Sequence, residues 1–523
     1  MVNLGTIPAK WAGLTPRADA VVDATTERRT SFAELDERVR RLANGLRAEG
    51  ERGLGLQQGD RVAVLTKNCT EQVELYFAAG RAGLVAAPLN WRLGAAELEK
   101  IVRDADPTVL LVSDEFAGLA EQLAGAGDVR DVLQFGPGSD GSYEDLVDRA
   151  SADEPVWSRA VGDDDPWFML YTGGTTGESK GALHSHRSAL SGMWNQTMAE
   201  RVVPGDVHMV TGQLFHIVIS LAFNYTRLGC PIVLTNFEAQ RALEIIESER
   251  ISAFLGVTTM LNWMMAVPGF SSYDVSSLRN IQYGGGPMPT SVIKAALEAF
   301  PCTLDQVYGS TEAGTVCVLT QEDHADALRG IHPERLRSCG REAIGTTVCL
   351  MDQQGRPVPQ DGTTVGEIAV RSEGNLLRYW NRPELTRQAL RDGWYFTGDL
   401  ATWDADRYVY VIDRAKDMII SGGENIYSVQ VEEAINQHPG VLECAVIGVP
   451  DDEWGETVKA FVVLKPGSDA SEDDIIDTAR QHLASYQKPR SVEFLDELPK
   501  APTGKILKRE LREPFWAEQE RVV

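Results

Sequence analysis

The run Tyr171–Gly181, YTGGTTGESKG, constrains this chain more than any other stretch. Its eleven residues include four glycines, three threonines, a serine and a lysine, so no side chain there can build a core. The glycines free the backbone and expose its N–H groups, while the hydroxyls and the lysine add donors. That is the composition of a loop that wraps a polyphosphate. A P-loop reads G-x-x-x-x-G-K-[ST]. Here Glu178 and Ser179 separate Gly177 from Lys180, and no Ser or Thr follows the lysine, so the P-loop spacing fails.

The rest of the composition sets limits. At 523 residues the chain suggests roughly three domains and can bury a large core without staples. A net charge of −26 disfavours nucleic acid or an anionic membrane as partner, but leaves room for a local basic pocket that takes ATP. The seven cysteines form no C-x-x-C pair and read as reduced, mostly buried thiols of an intracellular protein. His184, Ser185 and His186 read as a solvated helix start rather than a metal site. The N-terminus lacks the apolar run of a signal peptide, and no stretch is long and apolar enough for a membrane span. A cytoplasmic location is the expectation.

Ser31 and Glu34 form a capping-box pattern ahead of Leu35, Val39, Leu42 and Leu46 at helical spacing. Strands are expected at 61–65, 84–88 and 108–112, with helices at 71–82 and 95–104 between them. Such alternation implies an α/β domain with parallel strands. Residues 125–165 lose periodicity and read as a surface connection. A second α/β unit is expected over about 167–320, with a strand at 167–170 before the glycine-rich run and a helix at 188–198 after it. Short strands over 348–370 suggest a small β-barrel. From Ser428 a new set of helices and strands suggests a separate small α+β domain.

Four further constellations carry chemistry. In Tyr308–Gly314, YGSTEAG, an aromatic at a strand end can stack on a purine, Thr311 can touch a phosphate, and Glu312 can hold Mg²⁺. Read alone, Glu312 is as readily an ordinary surface acid. In Trp394–Leu400, WYFTGDL, Asp399 sits among apolar residues and suits ribose hydroxyls, or else caps a turn. In Asp413–Asn425, DRAKDMIISGGEN, crowded charges before a glycine pair fit a hinge with a close-approach loop, or a hairpin with a solvated edge. In Pro499–Lys508, PKAPTGKILK, Lys505 closes a Pro/Thr/Gly turn; a basic tail run of this kind is ordinarily solvated.

Taken in order, these five motifs resemble the adenylate-forming superfamily of acyl-CoA synthetases, adenylation domains and luciferases, from about Phe32 to Leu511. The acyl-CoA synthetase branch is the nearest in flavour. The resemblance implies an adenylation domain over 1–413, a hinge at 414–417 and a mobile C-terminal lid over 418–523. It places Thr172, Gly173, Gly174, Thr175, Thr176, Gly177 and Lys180 around the ATP phosphates, with Gly285 and Tyr308 beside the nucleotide. Asp399 and Arg414 would hold the ribose. Thr311 would touch the α-phosphate, Glu312 would hold Mg²⁺, and Lys505 would be the adenylation lysine. Lys416 takes the hinge position, and Gly422 and Gly423 the loop along the thiol's channel. The implied reaction makes an acyl-AMP from an acid and ATP, releases pyrophosphate, and passes the acyl group to a thiol.

By position, Phe215–Tyr225, Thr258–Met260, Tyr283–Gly286 and Val307 would line the acyl group, with His216, Asn224, Thr259, Gly284 and Gly286 among them. Valine at 307 stands where fatty-acid members often carry glycine, and so favours an aryl or short to medium acid. No Asp lies within Phe215–Tyr225 to clamp an ammonium group, which argues against amino acid activation. No carrier domain is attached, so CoA is the default acceptor, a free acyl carrier protein or another nucleophile the second, and a non-catalytic nucleotide-binding protein the last. A homodimer is a further expectation. The sequence departs from family patterns at Gly174, at Glu178–Ser179 and at Ser428, where Ser, a Pro before the lysine, and Pro are common.

Overall fold

The computed structural model describes residues 3–172, 179–286, 288–451, 453–500 and 506–516. They form a mixed α/β fold with a large N-terminal and a small C-terminal part. Two compact units emerge, one of residues 1–348 and 370–395, the other of residues 349–369 and 396–523. The strands Thr346–Met351, Gly366–Ser372 and Trp394–Trp403 run across this division along the chain; they include the short strands from which a small β-barrel is expected.

The first unit holds two sheets. One has seven strands in the order Arg378–Tyr379, Lys180–Ser185, Pro166–Thr172, Val85–Leu89, Arg61–Leu65, Val109–Ser113, Asp131–Phe135. From Pro166–Thr172 onward its pairs are parallel; Lys180–Ser185 and Arg378–Tyr379 pair antiparallel. The other has nine strands, with a parallel centre and an antiparallel hairpin at one side made by Thr303–Ser310 and Gly314–Leu319. Parallel strands need crossover helices, and Thr70–Ala82 is one: it joins Arg61–Leu65 to Val85–Leu89 and ends on Gly83 at φ +69°. Its Phe77, with Tyr76, meets Phe223 of the helix Val218–Arg227, and Trp167 closes the cluster. Each such ring, fully buried, contributes about 1.5–3 kcal/mol. The expected capping box at Ser31 and Glu34 is present at the start of Phe32–Arg47.

Two sequence expectations are corrected here. Residues 125–165 are not a bare surface connection: Asp131–Phe135 is a strand and Ser142–Arg149 a helix, and Leu133, Phe135, Tyr143, Leu146 and Val147 are buried. Few apolar residues among many Gly, Asp and Ser hide two short elements. His184 and His186 are not solvated. Ser185 does cap the helix His186–Glu200, but both rings are buried, stacked on Phe168 and Trp167.

The second unit is built on the hairpin Val441–Asp451 and Gly455–Leu464. Ile419–Ser421 and Ser491–Phe494 also pair with Gly455–Leu464, and Glu424–Ile426 extends the sheet. The helices Ser428–Ile435 and Glu472–His482 supply Val431, Ile435, Ile475 and Ala479 to its core.

Candidate active site

Thr172 ends the strand Pro166–Thr172, and Lys180 begins its antiparallel partner, with Thr172 and Lys180 opposite each other. The described residues at the two ends of the glycine-rich run thus lie on adjacent antiparallel strands. The strand after it, Lys180–Ser185, was not visible in the sequence. Gly173, Gly174, Thr175, Thr176 and Gly177 lie outside the described residues. The hairpin base is anchored at Tyr171, whose hydroxyl donates to Asp104 Oδ2 at 2.7 Å while Arg382 takes Asp104 Oδ1 at 2.9 Å. Burial and the Asp104 charge push the Tyr171 hydroxyl far above its ordinary pKa, so it stays a donor.

Thr311 and Glu312 occupy the three-residue turn of the second hairpin, closed by the pair Ser310 and Gly314. The turn dictates its glycine: a Cβ on Gly309 would lie 1.9 Å from the Gly314 carbonyl oxygen. Tyr308, before it, is half-buried at the strand end. Two contacts tie this turn to the glycine-rich hairpin. His184 Nε2 lies 2.8 Å from the Thr311 carbonyl oxygen, and its Nδ1 lies 3.1 Å from Ser188 Oγ. A carbonyl only accepts, so Nε2 carries the proton and Nδ1 accepts from the serine. Burial holds this imidazole neutral by lowering its pKa to about 4. The second contact runs through Tyr379, which pairs with Ala182 in the edge strand. Its hydroxyl donates to Glu312 Oε1 at 2.8 Å, and Lys180 Nζ stands 4.7 Å from its ring centroid. One tyrosine thus contacts both the hairpin lysine, through its ring, and the Glu312 carboxylate, through its hydroxyl. Tyr379 was missed in the sequence because it lies in no glycine-rich or acidic motif, and His184 was read there as part of a solvated helix start.

The residues expected at the acyl group are spread over four elements, two helices and two strands. His216 stands on the turn before Val218–Arg227; burial lowers its pKa against a small opposing pull from Glu312, so the imidazole is neutral at pH 7. Asn224, on that helix, is fully buried. Gly284 pairs with Val307 in adjacent strands, and a Cβ there would sit 2.5 Å from the Val307 carbonyl oxygen, so the close approach requires glycine. Gly285 takes φ +76° and, like Gly286, is exposed. Thr259 is also exposed, on the first turn of Thr258–Met265.

The second unit holds the others. Asp399 is buried and directly opposite Arg414 across antiparallel strands, with Arg414 Nε 2.5 Å from Asp399 Oδ1. Gly398 turns the strand at φ +76°. Lys416 Nζ lies 3.8 Å from Asp417, which also pairs with Arg512 at 2.9 Å. Burial alone would raise the Asp417 carboxyl, but Lys416 and Arg512, joined by Lys508, outweigh it and hold the group below the ordinary range. Ser428, where the family commonly has proline, is fully buried and donates both its N–H and its hydroxyl to Asp413 Oδ2. Proline has no N–H for this bond. Lys508 Nζ reaches Ser428 Oγ and Glu432, both at 2.7 Å. Gly422 and Gly423, at φ +59° and +84°, form the exposed turn between Ile419–Ser421 and Glu424–Ile426. A Cβ on Gly422 would strike the Trp454 ring at 2.6 Å. Lys505 lies outside the described residues. No helix among the described residues is long and apolar enough to cross a membrane.

The AMP-binding enzyme family matches residues 9–380, and the AMP-binding enzyme C-terminal domain matches residues 430–505. A feruloyl-CoA synthase of Amycolatopsis is 39% identical over 516 residues, 98% of this chain and 99% of that protein. A long-chain-fatty-acid–CoA ligase of Mycobacterium tuberculosis is 36% identical over 522 residues, 99% of each chain. Among solved structures, the amide bond synthetase McbA of Marinactinospora thermotolerans superimposes with a TM-score of 0.85 at 30% identity, covering 98% of this chain and 100% of that one. The chain belongs to the AMP-binding enzymes of the adenylate-forming superfamily, on their acyl-CoA synthetase branch.

Proposed function

We propose that the protein is an AMP-forming acid–CoA ligase acting on an aryl or short to medium carboxylic acid. The observation that carries this reading is the Lys180–Tyr379–Glu312 assembly, in which one tyrosine holds a cation and a carboxylate where the strand Lys180–Ser185 begins. In the first step a carboxylate oxygen attacks the α-phosphorus of ATP. A P–O bond forms, the bond to pyrophosphate breaks, and acyl-AMP results. In the second step the CoA thiolate attacks the acyl carbon, the C–O bond to AMP breaks, and the thiol proton passes to solvent. Positioning and charge stabilisation do most of this work. Thr172 and Lys180 hold the phosphates, and Lys505 meets the charge that builds between carboxylate and α-phosphate. Asp399 with Arg414 takes the ribose, and Tyr308 stacks on the adenine.

Mg²⁺ belongs to this proposal. Glu312 makes no ion pair among the described residues, and only its Oε1 is engaged, by Tyr379. That leaves a hard oxygen of the kind Mg²⁺ takes. No group of three or more His, Cys, Asp or Glu that could hold a metal occurs among the described residues. One carboxylate together with substrate phosphates is the ordinary arrangement for this ion. Bound there, it would neutralise phosphate charge.

The reading also includes lid rotation about Lys416, a cytoplasmic location and a homodimer. Its test is pyrophosphate release with a panel of acids, with and without CoA. Release stimulated by CoA is expected. Release that turns over only with a carrier protein or an amine would move the acceptor to the second reading, for which the likeness to an amide bond synthetase is the specific observation.

A further inference from the structure

We infer that Lys508 is a positioning residue for the adenylation step: its buried ammonium fixes the stretch of chain that carries Lys505, three residues upstream. The inference rests on the ligase reading above and on the role given there to Lys505, and deepens it.

The chain enters and leaves the segment 501–505 through two arms joined at their base. Lys500 and Ile506 pair as an antiparallel bridge, and the Leu507 N–H donates to the Pro499 carbonyl oxygen at 2.8 Å. Leu498 and Ile506 pack with Leu511 against Ala445, Ile447 and Phe461 of the hairpin beneath. Apolar contact is non-directional; it holds the arms down without setting where they stand. Each arm also carries a lysine that meets a glutamate at 2.7 Å, Lys500 with Glu443 and Lys508 with Glu432. The two pairs differ in burial. The side chains of the first are 40% and 26% exposed, those of the second 14% and 17%. An exposed pair is screened and holds little, so the direction comes from Lys508.

Lys508 opens the helix Lys508–Trp516 and also reaches Ser428 Oγ at 2.7 Å. Ser428 holds Asp413, and Glu432 Oε1 accepts from the Val446 N–H at 2.8 Å. Burial raises the carboxyls of Asp413 and Glu432, and the Lys508 charge is the largest pull against it in both. One ammonium thus serves two buried acids. Apolar side chains of similar volume would cost less desolvation; what the charges add is a fixed position. The same helix face repeats the tie. Arg512, at i+4, pairs with Asp417, and Trp516, at i+8, donates from Nε1 to the Gly448 carbonyl oxygen at 3.0 Å. The outgoing arm is pinned along one face, and Lys508 is the pin nearest Lys505. A lysine that meets charge building in a transition state acts by its position, and a misplacement of about 1 Å can cost about 100-fold in rate.

The test measures two half-reactions. The first is acid-dependent ATP–pyrophosphate exchange with benzoic, cinnamic, phenylacetic, butyric and octanoic acids. The second is CoA thioester formation from the supplied acyl-AMP of the acid that exchanges best. Lys508→Met is expected to lower kcat of exchange by about 10- to 100-fold. The KM for ATP and the rate of thioester formation should each stay within about twofold of wild type. Lys508→Arg keeps the charge and should recover most of the rate. Lys500→Met should stay within about twofold of wild type in both half-reactions. If Lys508→Met fails to fold with Glu432 left unpaired, Lys508→Met combined with Glu432→Gln removes both charges and repeats the test. Unchanged exchange in a folded variant, equal loss in both half-reactions, or equal effects at Lys500 and Lys508 overturn the inference. Lys505→Ala separates it from the reading beneath it. If Lys505→Ala loses exchange while Lys508→Met keeps it, only the inference falls. If Lys505→Ala exchanges like wild type, the role of Lys505 falls and the inference with it.

Discussion

Glu312 and Glu200 lie in the same unit, and each makes a hydrogen bond to a tyrosine hydroxyl, yet they are opposites. Glu312 sits at the tip of a two-stranded turn with one oxygen held by Tyr379. Glu200 ends the helix His186–Glu200, fully buried, its oxygens taken by Gln196 and Tyr225. Gln196 also reaches Gln282, and Gln282 donates to Asp305 at 2.8 Å. Burial first, and then the neighbouring Asp305, raises the Glu200 carboxyl to about 8; burial raises Asp305 to about 7. The closed network spends its hydrogen-bonding capacity inside the protein and contributes to the fold. The open one keeps capacity for a ligand. A strongly perturbed carboxyl is thus no sure marker of the chemistry here, and an unspent oxygen on a rigid turn is the better one.

Substitutions can break this contrast. Glu312→Gln should lower acid-dependent pyrophosphate release by roughly 10²–10³ with little change in melting temperature; a variant that melts early but turns over normally would reverse the roles. Lys505→Ala should cost adenylation a similar factor, roughly 10²–10³, while thioester formation from supplied acyl-AMP survives. Equal loss of both half-reactions would contradict a role for Lys505 confined to adenylation.

Tyr379 sharpens the contrast further. Tyr379→Phe keeps the ring under Lys180 but frees Glu312, and should cost about tenfold in kcat/KM, with a shifted Mg²⁺ dependence; Tyr379→Leu loses both contacts and should cost more. Identical losses would reduce Tyr379 to packing.

Glu200→Gln tests the closed side by pH. The folded carboxyl titrates near 8 against 4.5 ordinarily, so the folded state keeps a proton that the unfolded state has released. This stability is full below about 4.5 and is lost as pH climbs toward 8. Glu200→Gln mimics the protonated form and should flatten that decline, by roughly a few degrees in Tm, with activity retained. A parallel pH profile in the two proteins would contradict the buried-proton account. The smallest effect belongs to Ser428→Ala, which keeps the N–H bond to Asp413 and loses the hydroxyl contacts, at about 1 kcal/mol in thermal unfolding.

The same contrast explains what the sequence could reveal. The alternation over 61–112 and the capping box are local patterns, and they reappear as parallel strands and as the start of Phe32–Arg47. Glu312 was legible because its partners in chemistry, Tyr308 and Thr311, are its neighbours in the chain. Tyr379 was not, because its strand is two residues long and exists only by pairing with Lys180–Ser185. Glu200, Gln282 and Asp305 come from a helix and two strands, and nothing local joins them. His184 and His186 looked polar and exposed in the chain, and tertiary stacking buried them. Asn224 was visible as a residue, but that neither of its amide atoms finds a partner among the described residues is a property of the fold.

The most direct test of the ligase reading is ATP–pyrophosphate exchange in the absence of CoA, comparing wild type with Glu312→Ala. Exchange that depends on an added carboxylic acid, and that falls by roughly two orders of magnitude or more in the variant, is the expected result. Exchange without any acid, no exchange with any acid, or full exchange in Glu312→Ala would contradict the assignment of adenylation to this hairpin pair.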